Sequence, residues 1–535
     1  MLNNRQNGLS SIVSPIFWGM GCFGIMFTIY YFFVNRSLRL DEAMFAQSIL
    51  TRDVSGILQG DFDYGQSGSL GFILIVKYLT MELGHSEMVL RLVSFVCYFA
   101  NIILAMVFIK MILGVSKSSV TFALFASTWI FIQYAVDFKP YSMDITLSLT
   151  SFLLYAKYRK GSLNIWLLAL IYAVLVWFSF ATLFILGAIC MYHLFVKTAL
   201  LYKHDISWKN YKTLVLPLAI IGVSALADYV FWVKPTSSNV PEEANEYWRF
   251  LAFPLIPTSL SDVKLLWGMF IDIFIVPSSK FAFLLLFPCF LFTLWSKRKY
   301  WVTMVLGISV IMVLAASAIG MYPISARLQL FLIAFYFVYA SYALELIVRN
   351  IVSNIYTRTL VFVLVVLPIV VGVFSRCRVW NSEVFHYVDD ESHPLLEHYY
   401  QVRGDDGYLW VSSIAQPAVG YYLHYPFVFK SHNEKLIEKD HVIWGSTYRI
   451  MQNTEPYNFH FVKDIPKFEE NINAITSHDV VYLIRTHPEG EVYDWIVDEL
   501  KKYGKVSIEQ QYYESILYKF EKSNANETFT KSKTE

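Results

Sequence analysis

The sequence predicts a polytopic α-helical membrane protein of about eleven spans, with a small α/β domain at its C-terminal end. Three observations predict it. Of 535 residues, 56% are hydrophobic and 16% charged, where soluble globular chains run nearer 45–50% and about 25%. Apolar runs of membrane-crossing length recur from residue 12 to residue 376. Beyond Arg378 the apolar stretches shorten to strand length and alternate with helical patterns. A mean hydropathy of +0.46 agrees, and a formal net charge of +1 argues against a nucleic-acid partner.

The predicted spans cover 12–34, 88–110, 118–136, 143–157, 163–179, 181–198, 213–233, 280–296, 301–320, 328–348 and 359–376. Residues Met1 to Ser11 precede a full-length apolar run, which reads as a retained first helix and not a cleaved signal. The run Gly68–Leu83 is interrupted by Lys77 and flanked by glycine, so it is expected as an interfacial or re-entrant helix. Cys22, Cys97, Cys190 and Cys289 lie within apolar runs and Cys377 ends the last one, leaving no disulfide framework and no metal-ligand spacing.

The positive-inside rule orients these spans. With a cytoplasmic N-terminus, one set of loops holds Lys110, Lys117, Lys157, Arg159, Lys160, Lys203, Lys209, Lys212, Lys297, Arg298, Lys299, Arg349 and Arg358, with Asp205 among them. The opposite loops hold the acids Asp41, Glu42, Asp53, Asp61, Asp63, Glu82, Glu87, Asp137, Asp144, Glu242, Glu243 and Glu246, with bases such as Arg39, Lys77 and Lys139 among them. An odd number of spans then places the tail outside the cytoplasm. The expected organisation is a membrane domain over 1–376 with a long first external loop at 35–87, an extracytoplasmic α/β domain over 377–520 and a disordered tail at 521–535. In the α/β domain, strands are expected at Gly407–Ser412, Ala418–Leu423, His441–Trp444, Asp479–Ile484 and Ser515–Tyr518. Helices are expected at Ser392–Val402, Lys467–Ile475 and Glu489–Tyr503. His386, His393 and His398 read as surface histidines.

Three polar clusters interrupt the apolar sequence on that outer side. They are Arg39-Leu40-Asp41-Glu42-Ala43 with Tyr64 and Gln66 further along its loop, Asp137-Phe138-Lys139-Pro140-Tyr141-Ser142-Met143-Asp144, and Tyr322-Pro323-Ile324-Ser325-Ala326-Arg327. A looser group, Glu246-Tyr247-Trp248-Arg249, follows the seventh span. Ionisable groups at a membrane edge are functional-site candidates because lipid penalises them. A carboxylate such as Asp41 can take a proton from an acceptor hydroxyl or amine. A second acid can orient the first or share magnesium or manganese with it, which would use Asp41 and Asp144. Lys139 and Arg327 can hold a phosphate, and tyrosines such as Tyr64, Tyr141 and Tyr322 can stack a sugar. Each residue also has a structural reading: Asp41, Glu42 and Asp144 as charges in a first helical turn, Lys139 and Arg327 snorkelling to the interface, the prolines as helix breakers.

In their order along the chain these clusters resemble the bacterial branch of the dolichyl-phosphate-mannose protein mannosyltransferase superfamily, which includes the lipid A aminoarabinose transferases, over residues 12 to 376. Leu40-Asp41-Glu42-Ala43 is similar to the Asp-Glu motif of the first external loop. Ser86-Glu87 through Leu90-Arg91-Leu92-Val93-Ser94 is similar to the opening of the second span. Lys139-Pro140-Tyr141-Ser142-Met143-Asp144 is similar to a basic-x-Tyr-x-x-Asp loop, and Tyr322-Pro323 with Arg327-Leu328 to a late external loop. Relatives usually carry proline where Gly68 or Ser69 stands. The resemblance implies a GT-C fold and an inverting sugar transfer from a polyprenyl-phosphate donor to an extracytoplasmic lipid, glycan or protein. It implies Asp41 as base with Glu42 beside it, Asp144 as second acid and Lys139 as its basic neighbour, in a multi-pass protein of the inner membrane. Two other readings stand beside it. A flippase or transporter would carry charges near the bilayer midplane in paired halves, and a membrane-anchored binding module would act through its C-terminal domain.

Overall fold

The computed structural model describes residues 2–60, 62, 65–115, 118–238, 252–254, 257–278, 280–295, 300–350, 391–404, 407–424, 436–455, 458–486, 491–512 and 515–523. The chain divides into two compact units, one of Met1–Asn35, Leu58–Gly60 and Ser67–Cys377, the other of Arg36–Ile57, Asp61–Gln66 and Arg378–Glu535.

The first unit is helical. Among the described residues, Pro15–Val34, Glu87–Leu113, Phe180–Tyr202, Trp208–Thr236, Tyr300–Ala318 and Leu330–Ile347 are long and apolar enough to cross a membrane, and Ile165–Phe178 and Ala282–Trp295 are shorter apolar helices. The run at 118–136 forms two helices, Ser119–Ser127 and Trp129–Ala135, because Thr128 is extended at φ −76° and ψ 125°. The run at 143–157 lies within Tyr141–Arg159. The expected span 359–376 lies outside the described residues.

A helix of this unit lies outside every expected span. Leu260–Phe270 continues through a wider turn at Ile271–Ile275 into Val276–Ser278. Asp262, Lys264 and Asp272 break its apolar pattern, so no uninterrupted run announces it. Its start is capped, with the Asp262 carboxylate accepting from the Ser259 and Thr258 amides at 3.0 and 2.8 Å.

Small and polar residues join the helices, as expected where lipid removes any hydrophobic drive for helix association. A Cβ at Gly24 would collide with the Ala126 carbonyl oxygen, so the backbones of Leu2–Val34 and Ser119–Ser127 touch there. Tyr98 donates to the same carbonyl at 2.6 Å and accepts from Thr28 at 3.1 Å. The buried Glu345 side chain accepts from the Val120 amide at 2.9 Å, satisfying an N-terminal donor of Ser119–Ser127. Leu70–Leu83 spans 14 residues, at about 1.5 Å each too short to cross a membrane.

The second unit holds a six-stranded mixed sheet in the order β2-β3-β1-β6-β8-β7. Its strands are β1 (Tyr408–Val411), β2 (Ile437–Lys439), β3 (Val442–Trp444), β6 (Val480–Arg485), β7 (Gly504–Tyr512) and β8 (Ser515–Lys522). β4 (Arg449–Glu455) and β5 (Asn458–Lys463) pair apart as an antiparallel ribbon. β1 runs parallel to β3 and β6, and the outer pairings are antiparallel. Side chains alternate across the sheet, so Trp410, Ile443 and Leu483 meet the helices Ile465–Thr476 and Glu491–Leu500 on one face. Leu409, Val411, Trp444 and Ile484 meet Ser392–Val402 and Gln416–Tyr422 on the other.

The strand expected at Ala418–Leu423 is instead the end of the helix Gln416–Tyr422. Six apolar residues show no period that separates strand from buried helix. The start signal is local, with Pro417 in the first turn and the Ser412 hydroxyl accepting from the Ala415 amide at 3.3 Å. The strands β2, β4, β5 and β7 also lie outside the expected elements, although Phe459 and Phe461 in β5 and Val506 and Ile508 in β7 alternate with polar residues over a few positions. β8 runs to Lys522, and residues 524–535 lie outside the described residues.

Candidate active site

The first polar cluster belongs to the second unit. Leu40–Leu50 is a helix with Arg39 at its N-cap, placing Asp41 and Glu42 in the first turn, where the helix dipole favours negative charge. Asp41 is half-buried. Glu42 is sealed at 1% exposure and bound twice: Oε2 accepts from Nη1 of the equally buried Arg36 at 2.6 Å and from the Arg39 amide at 3.0 Å. Glu42 therefore closes the start of the helix as a cap and pairs with a buried cation. Gln66 lies against the same helix, its amide nitrogen 3.7 Å from the Met44 sulfur. Tyr64 lies outside the described residues.

The C-terminal segment grips this helix. Gln47 donates through Nε2 to the Pro417 carbonyl at 2.7 Å, and the Leu38 amide donates to the Tyr422 hydroxyl at 2.9 Å. Ser37 donates to Glu391 Oε2 at 2.9 Å and accepts from the His393 amide at 3.2 Å. The Tyr422 ring stacks on His393 with centroids 4.7 Å apart.

The second and third clusters belong to the first unit. Pro140 is the N-cap of Tyr141–Arg159, which puts Tyr141 and Asp144 in its first turn. Asp144 is buried, and its Oδ1 accepts from Ser179 Oγ at 2.6 Å. Ser179 also caps Phe180–Tyr202, accepting from the Thr182 amide at 3.0 Å. Lys139 is half-buried and its carbonyl accepts from Ser94 at 2.6 Å. Tyr141 meets Tyr134 edge-on at 5.0 Å.

Tyr322 joins this group. Burial pushes its hydroxyl well above the usual phenol range, with the charges of Asp144 and Tyr141 adding to the shift. It thus stays protonated and donates to the Leu328 carbonyl at 2.9 Å, with its ring 4.9 Å from that of Phe184. Arg327, half-buried, lies in the same turn, which is pinned by the Ala326 amide donating to Asp272 at 2.6 Å. The looser group Glu246 to Arg249 lies outside the described residues. No three or more His, Cys, Asp or Glu side chains come together to hold a metal ion among the described residues.

The fold carrying these clusters has solved counterparts. No protein-family model and no curated protein sequence matches the chain, but solved structures do. ArnT from Cupriavidus metallidurans, bound to undecaprenyl phosphate, superposes with a TM-score of 0.51 at 11% identity, covering 94% of this chain and 98% of ArnT. The apo form of the same protein matches equally, with TM-score 0.51, 11% identity and the same coverage. The chain has an ArnT-like fold.

Within this ArnT-like fold, sequence reasoning missed Arg36, Gln47, Ser179, Asp272 and Tyr422. Ser179 carried a usable signal, a serine directly before an apolar run. Gln47 and Tyr422 carried none, since their partners lie 370 and 384 residues away in sequence.

Proposed function

We propose that the chain is a membrane glycosyltransferase that moves a sugar from a polyprenyl-phosphate donor to an acceptor on the extracytoplasmic side. The observation that carries this reading is the match over 94% of the chain to a fold solved with undecaprenyl phosphate bound. The distribution of acids and bases between loops supports an inner-membrane protein with a cytoplasmic N-terminus.

In this reading Asp41 is the general base. The acceptor hydroxyl or amine attacks the anomeric carbon from the face opposite the phosphate. Its proton passes to the Asp41 carboxylate as the bond between C1 and the phosphate oxygen breaks, and polyprenyl monophosphate departs with the electron pair. One displacement inverts the anomeric configuration. Lys139 and Arg327 offset charge growing on the phosphate, Lys as a point charge and Arg through its fork. Tyr141 and Tyr322 offer aromatic faces to the sugar, and Tyr64 and Gln66 complete the donor side. Asp144, fixed by Ser179, is the second acid, and Glu42 supports Asp41 through the helix that both begin.

Mass spectrometry of envelope lipids and glycans from a strain lacking the gene tests the reading. One species should lose a sugar while its polyprenyl-phosphate-linked form accumulates. An unchanged envelope profile, with no accumulated donor, contradicts it.

A further inference from the structure

We infer that the C-terminal domain is part of the catalytic apparatus, with Gln47 and Tyr422 as positioning residues that hold the Asp41 helix. The inference rests on the reading of Asp41 as base. It goes beyond that reading by giving the C-terminal domain a task.

The second unit contains the Asp41 segment and the C-terminal domain together, although about 340 residues separate them in sequence, near the separations of 354 to 384 residues across their hydrogen bonds. The anchors bracket Asp41. On its N-terminal side the Leu38 amide and the Ser37 hydroxyl bind Tyr422 and Glu391. On its C-terminal side the buried Gln47 amide binds Pro417. Pro417 and Tyr422 stand at opposite ends of one short helix, Gln416–Tyr422, so a single rigid element fixes the Asp41 helix before and after the acid. That element is itself held, since Gln416 donates to the Gly445 carbonyl at 2.7 Å beside β3 and Val419 packs in the sheet core.

An 11-residue helix is too short to hold its own geometry in water. Its buried face and these anchors set where the Asp41 carboxylate stands. A base acts only within hydrogen-bond reach of its proton, and a misplacement of about 1 Å can lower a rate about a hundredfold. The C-terminal domain thus acts on the reaction through Asp41 without touching the reacting atoms.

The test uses the full chain with Tyr422→Phe, which keeps the ring on His393 and removes only the hydroxyl, and Gln47→Met, which keeps length and removes the amide, singly and together. Hydrogen–deuterium exchange reads amides 40–50, with amides 330–347 as an internal check on folding. Undecaprenyl phosphate binding and the kcat and KM of transfer are measured on the same preparations. Exchange over 40–50 should quicken about tenfold in the double variant while 330–347 is unchanged. Transfer kcat should fall at least about tenfold, with donor KM and undecaprenyl phosphate affinity within about twofold. Should the double variant fail to fold, Tyr422→Phe alone carries the test with the same directions. Unchanged exchange over 40–50 overturns the inference, and so does quickened exchange with kcat retained. Either result leaves the glycosyltransferase reading intact if Asp41→Asn abolishes transfer, whereas an active Asp41→Asn variant overturns that reading itself.

Discussion

The Arg36 guanidinium meets the Glu42 carboxylate at 2.6 Å with both side chains sealed from solvent. Removing one partner of such a pair leaves the other buried and uncompensated, a loss of about 3–5 kcal/mol. Glu42→Ala should therefore unfold the second unit at markedly lower denaturant. The double replacement Arg36→Met with Glu42→Leu should recover most of that loss, because well-packed apolar residues replace a buried pair at little cost. Chemical denaturation followed by tryptophan fluorescence reads both. If Glu42→Ala were neutral, the pair would not hold the start of the Asp41 helix.

Ser179 serves two groups with one hydroxyl, donating to Asp144 and accepting from the Thr182 amide. Ser179→Ala removes a helix cap worth about 1 kcal/mol and takes a partner from a buried carboxylate, adding about 1–3 kcal/mol. Thermal unfolding should show the combined loss, and transfer should fall if Asp144 takes part. Unchanged stability together with unchanged transfer would remove Ser179 and Asp144 from the site.

Asp228 is fully buried on the apolar helix Trp208–Thr236, and neither carboxyl oxygen has a hydrogen-bond partner among the described residues. Neighbouring turns of the same face are satisfied: Ser224 donates to the Ala173 carbonyl at 2.6 Å and Trp232 to the Gly68 carbonyl at 2.8 Å. A sealed polar group without partners costs about 1–3 kcal/mol, so Asp228→Val should raise the melting temperature and leave transfer intact. Loss of activity in a stabilised variant would mark Asp228 as a working intramembrane acid, the feature a transporter reading requires.

Gly24 touches the backbone around Ala126. Gly24→Ala gains helix propensity of about 1 kcal/mol, yet the added methyl must push the two helices apart at a cost of about 1–3 kcal/mol. The clash falls on backbone atoms that cannot rotate away, so destabilisation should win. A higher melting temperature for this variant would show that the helices do not approach so closely.

What the sequence made legible follows from the range of each physical signal. Apolar length announced the helices long enough to cross a membrane, since lipid penalises every interruption, and gave no signal for the helix at Leu260–Ser278, where Asp262, Lys264 and Asp272 interrupt. The α/β character of the C-terminal domain came from strand-length apolar runs such as β1 and β6. Ala418–Leu423 misled because so short a run has no readable period. Asp41 and Glu42 were conspicuous as adjacent acids after a span, but their different environments were not. Glu42 owes its burial to Arg36, six residues back, and its helix owes its anchoring to Pro417 and Tyr422. Contacts between residues hundreds of positions apart leave no trace in local pattern.

The central claim is that Asp41 takes the acceptor proton during transfer from a polyprenyl-phosphate sugar. The most direct test measures transfer by purified Asp41→Asn protein, in detergent or liposomes, against the accumulated donor and the acceptor found in the deletion strain. The substitution preserves size and removes the base, so kcat should fall by about 10²–10⁴ while the donor still binds and the melting temperature stays within a few degrees. Transfer at the wild-type rate by folded Asp41→Asn protein would contradict the account.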